Sequence, residues 1–172
     1  MDILILGIGN ALLTDEGIGI RVLKELERKF TFPANVELLD GGTSGIELLR
    51  YISKRDCLII IDAMKCDQKP GTVVRVADND VPAAFRTRIS PHQIGLSDLL
   101  AAAMLTDELP KNLVLFGVEP ESIDVGLNLT DAVEASVDKL VSAVVEELRS
   151  IGCAMVPVEG AFAEKACFWD TV

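Results

Sequence analysis

The feature that most constrains this chain is a set of short, uninterrupted aliphatic runs, each closed by a glycine or an acid. Residues 58–61 read Leu-Ile-Ile-Ile and stop at Asp62, and residues 3–6 read Ile-Leu-Ile-Leu and stop at Gly7. Runs this short and this apolar suit strands buried on both faces, as in parallel sheets. Further strands are expected at 36–39, ending at Asp40 before Gly41-Gly42, at 72–76 and at 113–118. Between them the apolar period changes to that of helices. A helix over about 15–30 would bury Ile18, Val22, Leu23, Leu26 and Phe30, and one over about 44–54 would bury Ile46, Leu49 and Ile52. A third spans about 96–105. The last, about 131–149, carries Val133, Val137, Leu140, Val141, Val144, Val145 and Leu148 and stops near Gly152.

Alternating strands and helices predict a three-layer α/β/α single domain around a five-stranded mixed sheet. The sheet should be mostly parallel, with one exception. Only nine residues separate Asp62 from Thr72, whereas a parallel crossover needs about a dozen or more. The fourth strand should therefore run antiparallel, at an edge. The domain is expected over 1–152. The segment 153–172 has no usable periodicity and is left as a tail of unassigned structure.

Composition removes several classes of function. The chain carries 27 acidic against 16 basic side chains, a formal charge of −11, and its lysines and arginines are scattered. Nucleic-acid binding, which needs clustered cations, is not expected. The four cysteines (Cys57, Cys66, Cys153, Cys167) form no CxxC pair, which argues against a zinc ribbon or redox couple. A chain of 172 residues can bury enough surface to fold without staples, so free thiols point to a reducing cytoplasm. The opening Met-Asp-Ile-Leu-Ile-Leu-Gly has neither the basic start nor the apolar length of a signal peptide. No segment approaches the roughly 20 apolar residues of a membrane span. A single histidine, His92, leaves one imidazole at most for catalysis or metal binding.

Topology indicates where the polar residues meet. In a parallel sheet, ligands bind beyond the carboxyl ends of the strands. Gly9 and Asn10 follow the first strand, Asp40 the second, Asp62 the third and Glu119 the fifth. Glu16 opens the helix leaving the first strand, and His92 precedes the helix that feeds the fifth, so both belong at the same edge. Glu16, Asp62 and His92 together would make a divalent-metal site with open positions. Each has a structural alternative. An acid in the first turn of a helix is favoured by the helix dipole. Asp62 could cap a turn, His92 could be a solvated loop residue, and Asp40 before two glycines could be an Asx-turn residue. Cys66 reads as an ordinary free thiol.

Two further readings are weaker. Gly7-x-Gly9 followed by Asp40 suggests a dinucleotide-binding oxidoreductase, but the third glycine of the fingerprint falls on Leu12. Ser44, in Gly42-Thr43-Ser44-Gly45, lacks the GxSxG frame of a nucleophile elbow.

The motifs taken together resemble the hydrogenase maturation proteases. The resemblance rests on Gly7-Ile8-Gly9-Asn10-Ala11-Leu12 with Asp15-Glu16-Gly17 and Gly19, and on Asp40-Gly41-Gly42-Thr43 with Gly45 and Leu48-Leu49. It continues through Asp62-Ala63, Pro70-Gly71, Ser90-Pro91-His92-Gln93 with Gly95 and Leu99-Leu100, and Gly117-Val118-Glu119-Pro120-Glu121. These run in the family's order over about 3–148; only the tail, roughly 150–172, does not align. The resemblance implies an endopeptidase, phosphorylase/hydrolase-like in fold, that removes the C-terminal extension of a nickel-containing hydrogenase large-subunit precursor. It implies that Glu16, Asp62 and His92 bind nickel carried by the precursor, rather than a resident cofactor. Asp40 is implied as general base or recognition residue. With no second histidine and no placed serine or cysteine, carboxylates such as Asp40 or Asp62 would carry the protein's proton transfers. Nickel acts in this scheme either as Lewis acid or as docking mark. The protein is expected to work as a cytoplasmic monomer.

Overall fold

The computed structural model describes residues 1–85 and 91–160. Its strands and helices follow in the order β1 (Ile3–Ile8), α1 (Ile18–Lys29), β2 (Phe30–Thr31), β3 (Val36–Gly42), α2 (Leu49–Ile52), β4 (Cys57–Ala63), β5 (Val73–Ala77), α3 (Asp80–Ala84), α4 (Pro91–Leu105), β6 (Asn112–Val118), α5 (Asp131–Glu134), α6 (Val137–Ser150) and β7 (Val156–Pro157). Short 3₁₀ turns at Thr14–Gly17 and Ile46–Leu48 precede α1 and α2.

Five strands form one sheet in the order β3-β1-β4-β6-β5. All neighbours are parallel except β5, which lies at the edge and pairs antiparallel with β6. The short connection from Asp62 to Thr72 thus does what its length requires. β4 is the spine: Leu58, Ile59, Ile60 and Ile61 are all fully buried, each contributing about 1.5–3 kcal/mol by leaving water. Their side chains alternate between two cores. Ile3, Ile5, Ile59, Ile61 and Phe116 pack against α1 and α6, whereas Leu4, Leu6, Leu58, Ile60 and Leu115 pack against α2, α3 and α4. Helices on both faces make the three layers.

The differences from the sequence expectations lie mainly at element ends. The first helix is split: a 3₁₀ turn holds Asp15 and Glu16, and α1 proper starts at Ile18. The second is a single 3₁₀ turn plus one helical turn, ended within two residues by Lys54 at φ 65°. The fourth helix starts at Pro91 rather than near 96, because a proline's fixed φ and missing N–H suit a first helical position. His92 therefore stands inside the first turn instead of before it. The final helix breaks at Ala135-Ser136. Several strands run further than expected: β1 includes Gly7 and Ile8, β3 includes Asp40, Gly41 and Gly42, and β4 includes Asp62 and Ala63. In the tail, Val156–Pro157 pairs antiparallel with Phe30–Thr31, and the Val158 amide donates to the Lys29 carbonyl at 2.9 Å. Residues 161–172, with Cys167, lie outside the described residues. Among those described, no helix is long and apolar enough to cross a membrane.

Candidate functional site

The carboxyl edge of the sheet is assembled through glycines. A methyl group at Gly9, whose φ is +131°, would overlap the Glu16 carbonyl oxygen. Only glycine lets the end of β1 lie directly beneath the 3₁₀ turn that carries Glu16. Gly19, at the start of α1, makes the matching contact from above: a side chain there would strike the carbonyl oxygens of Ile8 and Ile61. The helix thus crosses directly over the ends of β1 and β4. The turn Thr14–Gly17 packs against β4, whose next residue after Ile61 is Asp62.

Glu16 is 5% exposed and Asp62 is 0% exposed. By the period of the strand, Asp62 shares the face of Leu58 and Ile60, toward α4. It pairs across the ladder with Gly117 of β6, where an added methyl would lie 2.7 Å from the Met64 side chain. Asp40 differs from both. It is exposed near the end of β3, and its Oδ1 accepts the Gly42 amide at 2.9 Å. That is the Asx geometry its place before two glycines suggested. The carboxylate is held by its own turn while remaining open to solvent.

His92 joins this edge through the backbone. The loop leaving β3 packs onto α4 at Gly45 and Gly95: a methyl built on either would lie 3.1 Å from the other's Cα. Gly95 is three residues, about one helical turn, after His92, so the first turn of α4 borders the Asp40 loop. The His92 side chain lies outside the described residues. Within them, Glu16 and Asp62 are among the buried carboxylates of this edge, and no group of three or more metal-ligating residues is found.

Two further acids organise the edge. Asp15, fully buried, accepts the Glu121, Ser122 and Thr130 amides at 2.8, 3.0 and 2.8 Å, and also the Thr130 hydroxyl. It clamps the long loop after β6 onto the turn carrying Glu16. Glu119, 5% exposed, accepts the amides of Cys66 and Gln68 and so pins the loop after β4. Sequence reasoning placed Glu119 at the edge without a partner and gave Asp15 no role of its own. Its partners lie 106–115 residues away; the local signal was only a second acid beside Glu16. Asn10 turns inward on its own loop, accepting the Leu12 amide at 3.0 Å.

The same geometry removes the dinucleotide reading. The space over Gly9, where a pyrophosphate would approach a glycine-rich turn, is filled by the backbone of Glu16. As for Ser44, β3 does reach to within two residues of it, closer than expected. The serine, however, sits in a turn closed by its amide on the Gly41 carbonyl at 3.0 Å, with no helix beginning directly after it. Cys57, Cys66 and Cys153 are free thiols. Burial pushes the Cys57 thiol up to about 11, which keeps it protonated and inert.

Comparison with known proteins agrees with this architecture. The family model for hydrogenase maturation protease matches residues 20–147. The hydrogenase 2 maturation protease of Escherichia coli (strain K12) is 48% identical over 160 residues, covering 92% of this chain and 98% of that protein. The hydrogenase expression/formation protein HupM of Azotobacter chroococcum mcd 1 is 40% identical over 161 residues, 92% of this chain and 77% of that one. Among solved structures, the hydrogenase maturating endopeptidase HybD from E. coli superposes with a TM-score of 0.88 at 47% identity, over 91% of this chain and 98% of that one. The [NiFe] hydrogenase maturation protease HybD from Thermococcus kodakarensis gives a TM-score of 0.70 at 29% identity, over 86% and 99%. The mixed sheet with its single antiparallel edge strand is thus the sheet of a known endopeptidase, and this chain belongs to the hydrogenase maturation protease family.

Proposed function

We propose that this endopeptidase removes the C-terminal extension from the large-subunit precursor of a nickel-containing hydrogenase, after metal insertion. In this reading, Glu16, Asp62 and His92 recognise nickel that the precursor already holds. The observation that carries it is the burial of two carboxylates at the carboxyl edge of the sheet, Asp62 near the end of β4 and Glu16 in the turn that packs against that strand. One imidazole and two carboxylates suit a borderline divalent cation. So short a donor set fits a metal shared with another protein better than one owned outright. The free thiols accord with a cytoplasmic setting.

Peptide hydrolysis needs an activated water and a proton for the departing amine. Of the two aspartates available for that work, Asp40 is open to water, whereas Asp62 stands near the end of β4, against which the turn carrying Glu16 packs. Asp40 is accordingly assigned to the water and Asp62 to the metal. The Gly42 amide orients one oxygen of Asp40 and leaves the other to accept a proton. Nickel on the precursor serves as the docking mark that admits only a loaded substrate.

The test is incubation with purified precursor, with and without nickel, followed by mass measurement. Loss of a C-terminal fragment from the loaded precursor alone is expected. Equal cleavage of the nickel-free form would overturn metal recognition, and no cleavage of either form would overturn the substrate assignment. Asp40→Asn should lower kcat by about 10²-fold with KM little changed. An equal loss in binding would make Asp40 a recognition residue instead.

A further inference from the structure

The surface around the candidate site is unusually apolar for so acidic a chain. Among the described residues, eleven large hydrophobic side chains stand exposed, and six of them rim the carboxyl edge: Leu12, Ile46, Ile94, Ile123, Val125 and Leu127. Val125 and Leu127 are 88% and 78% exposed. Isolated exposed aliphatics need no explanation, but clustering around one edge does.

The rim has two lips, and neither is a loose loop. On one side, the Gly126 amide donates to the Leu12 carbonyl and the Thr14 amide to the Gly126 carbonyl, both at 2.9 Å. The Thr14 hydroxyl also bonds the Ser122 carbonyl at 2.7 Å, and Asp15 locks the same loop from beneath. The lip bearing Leu12, Ile123, Val125 and Leu127 is therefore one unit with the turn that carries Glu16. On the other side, Ile46 and Ile94 each adjoin a member of the Gly45–Gly95 contact. They sit beside the Asp40 loop and the first turn of α4. Glu16 lies in the turn that one lip is bonded to, and Asp40 precedes the loop that bears the other.

We propose that this rim is the docking face for the folded hydrogenase precursor, and that it takes an aliphatic surface of the precursor flanking its metal centre. The proposal rests on the substrate reading above. Continuity with the site commits the occupant: the lips are built on the same turns as Glu16 and Asp40, so a substrate seated there is in register with the candidate chemistry. The larger lip is held by its own hydrogen bonds to the Glu16 turn, which limits the entropy lost on docking. Apolar contact here would supply affinity, while the carboxylates select for the metal.

The test compares two double variants on nickel-loaded precursor. Val125→Ser with Leu127→Ser removes the centre of the larger lip. Met104→Ser with Leu105→Ser removes two other exposed apolar side chains, at the far end of α4. All four residues are exposed, so thermal midpoints should match the parent. The rim variant should raise KM roughly tenfold or more with kcat nearly unchanged, and the control should behave as parent. Equal behaviour of the two variants would overturn the docking face while leaving the substrate assignment standing. A parent that sediments as a dimer, becoming monomeric in the rim variant with cleavage unaltered, would give the rim to a second copy and overturn the proposal. Failure of the parent to cleave the precursor at all would overturn both readings together.

Discussion

Buried acids are satisfied in two different ways in this molecule. On the α1–α6 face, Glu25 is 8% exposed and is met by Arg21, Arg28 and Lys29 at 2.6, 2.8 and 3.3 Å; Lys29 also reaches Asp138 at 2.7 Å. Burial pushes the Glu25 carboxyl up, but hydrogen bonds from Arg28, Arg21 and Lys29 outweigh that and bring it down to about 2. At the carboxyl edge, Asp15 and Glu119 are met instead by backbone amides from distant loops. Side-chain partners on the same helix make a buried acid a local brace. Backbone partners from other loops make it a device that sets where loops stand, and hence where Glu16 stands. Concavity does not distinguish the two places. A cavity of about 670 Å³ lies on the Glu25 side, lined by that ion-pair cluster and not by Glu16, Asp40 or Asp62.

If the edge is for chemistry and the helix face for stability, the sharpest separation comes from Glu16→Gln and His92→Ala. Both should lose processing of nickel-loaded precursor while retaining the parental unfolding midpoint. Normal cleavage by either would remove that residue from the site. Next in size is Asp15→Ala, which strands four hydrogen-bond donors. It should cost about 3 kcal/mol in urea unfolding and also slow cleavage, because the turn bearing Glu16 loses its clamp. Unchanged activity in that variant would break the link between loop placement and the site.

The smallest effect belongs to Glu25→Gln, about 2 kcal/mol at neutral pH, since Arg21 and Arg28 are partly solvated. The sign follows from the lowered carboxyl. A group with a depressed folded value stabilises fully above its ordinary value of 4.5 and loses that contribution as pH falls toward about 2. The parent should therefore lose stability across that window more steeply than the variant, with cleavage equal in both. Equal pH slopes would show that the ion pairs contribute nothing net.

Much of this architecture was legible in the chain itself because its strands are aliphatic on both faces. Ile3–Ile8, Cys57–Ala63 and Asn112–Val118 are visible as runs, and a nine-residue connection dictates the antiparallel β5. The convergence of acids at one edge also follows, since parallel strands put all their carboxyl ends together. Less legible were the features that depend on contacts. The split of the first helix around Gly17 and the placement of β7 beside β2 arise where another segment supplies the hydrogen bonds.

Apolar periodicity and connection length by themselves determined the layers, the sheet's polarity and the edge at which the acids gather. Both are local properties, readable within a few residues. Only the tertiary structure decided where each acid stands: Asp15 and Glu119 taken up by amides, Asp40 left in solvent, Asp62 buried in β4 and Glu16 in the turn packed against it. A carboxylate's character depends on burial and on the donors that meet it. Here those donors come from more than a hundred residues away for Asp15 and about fifty for Glu119.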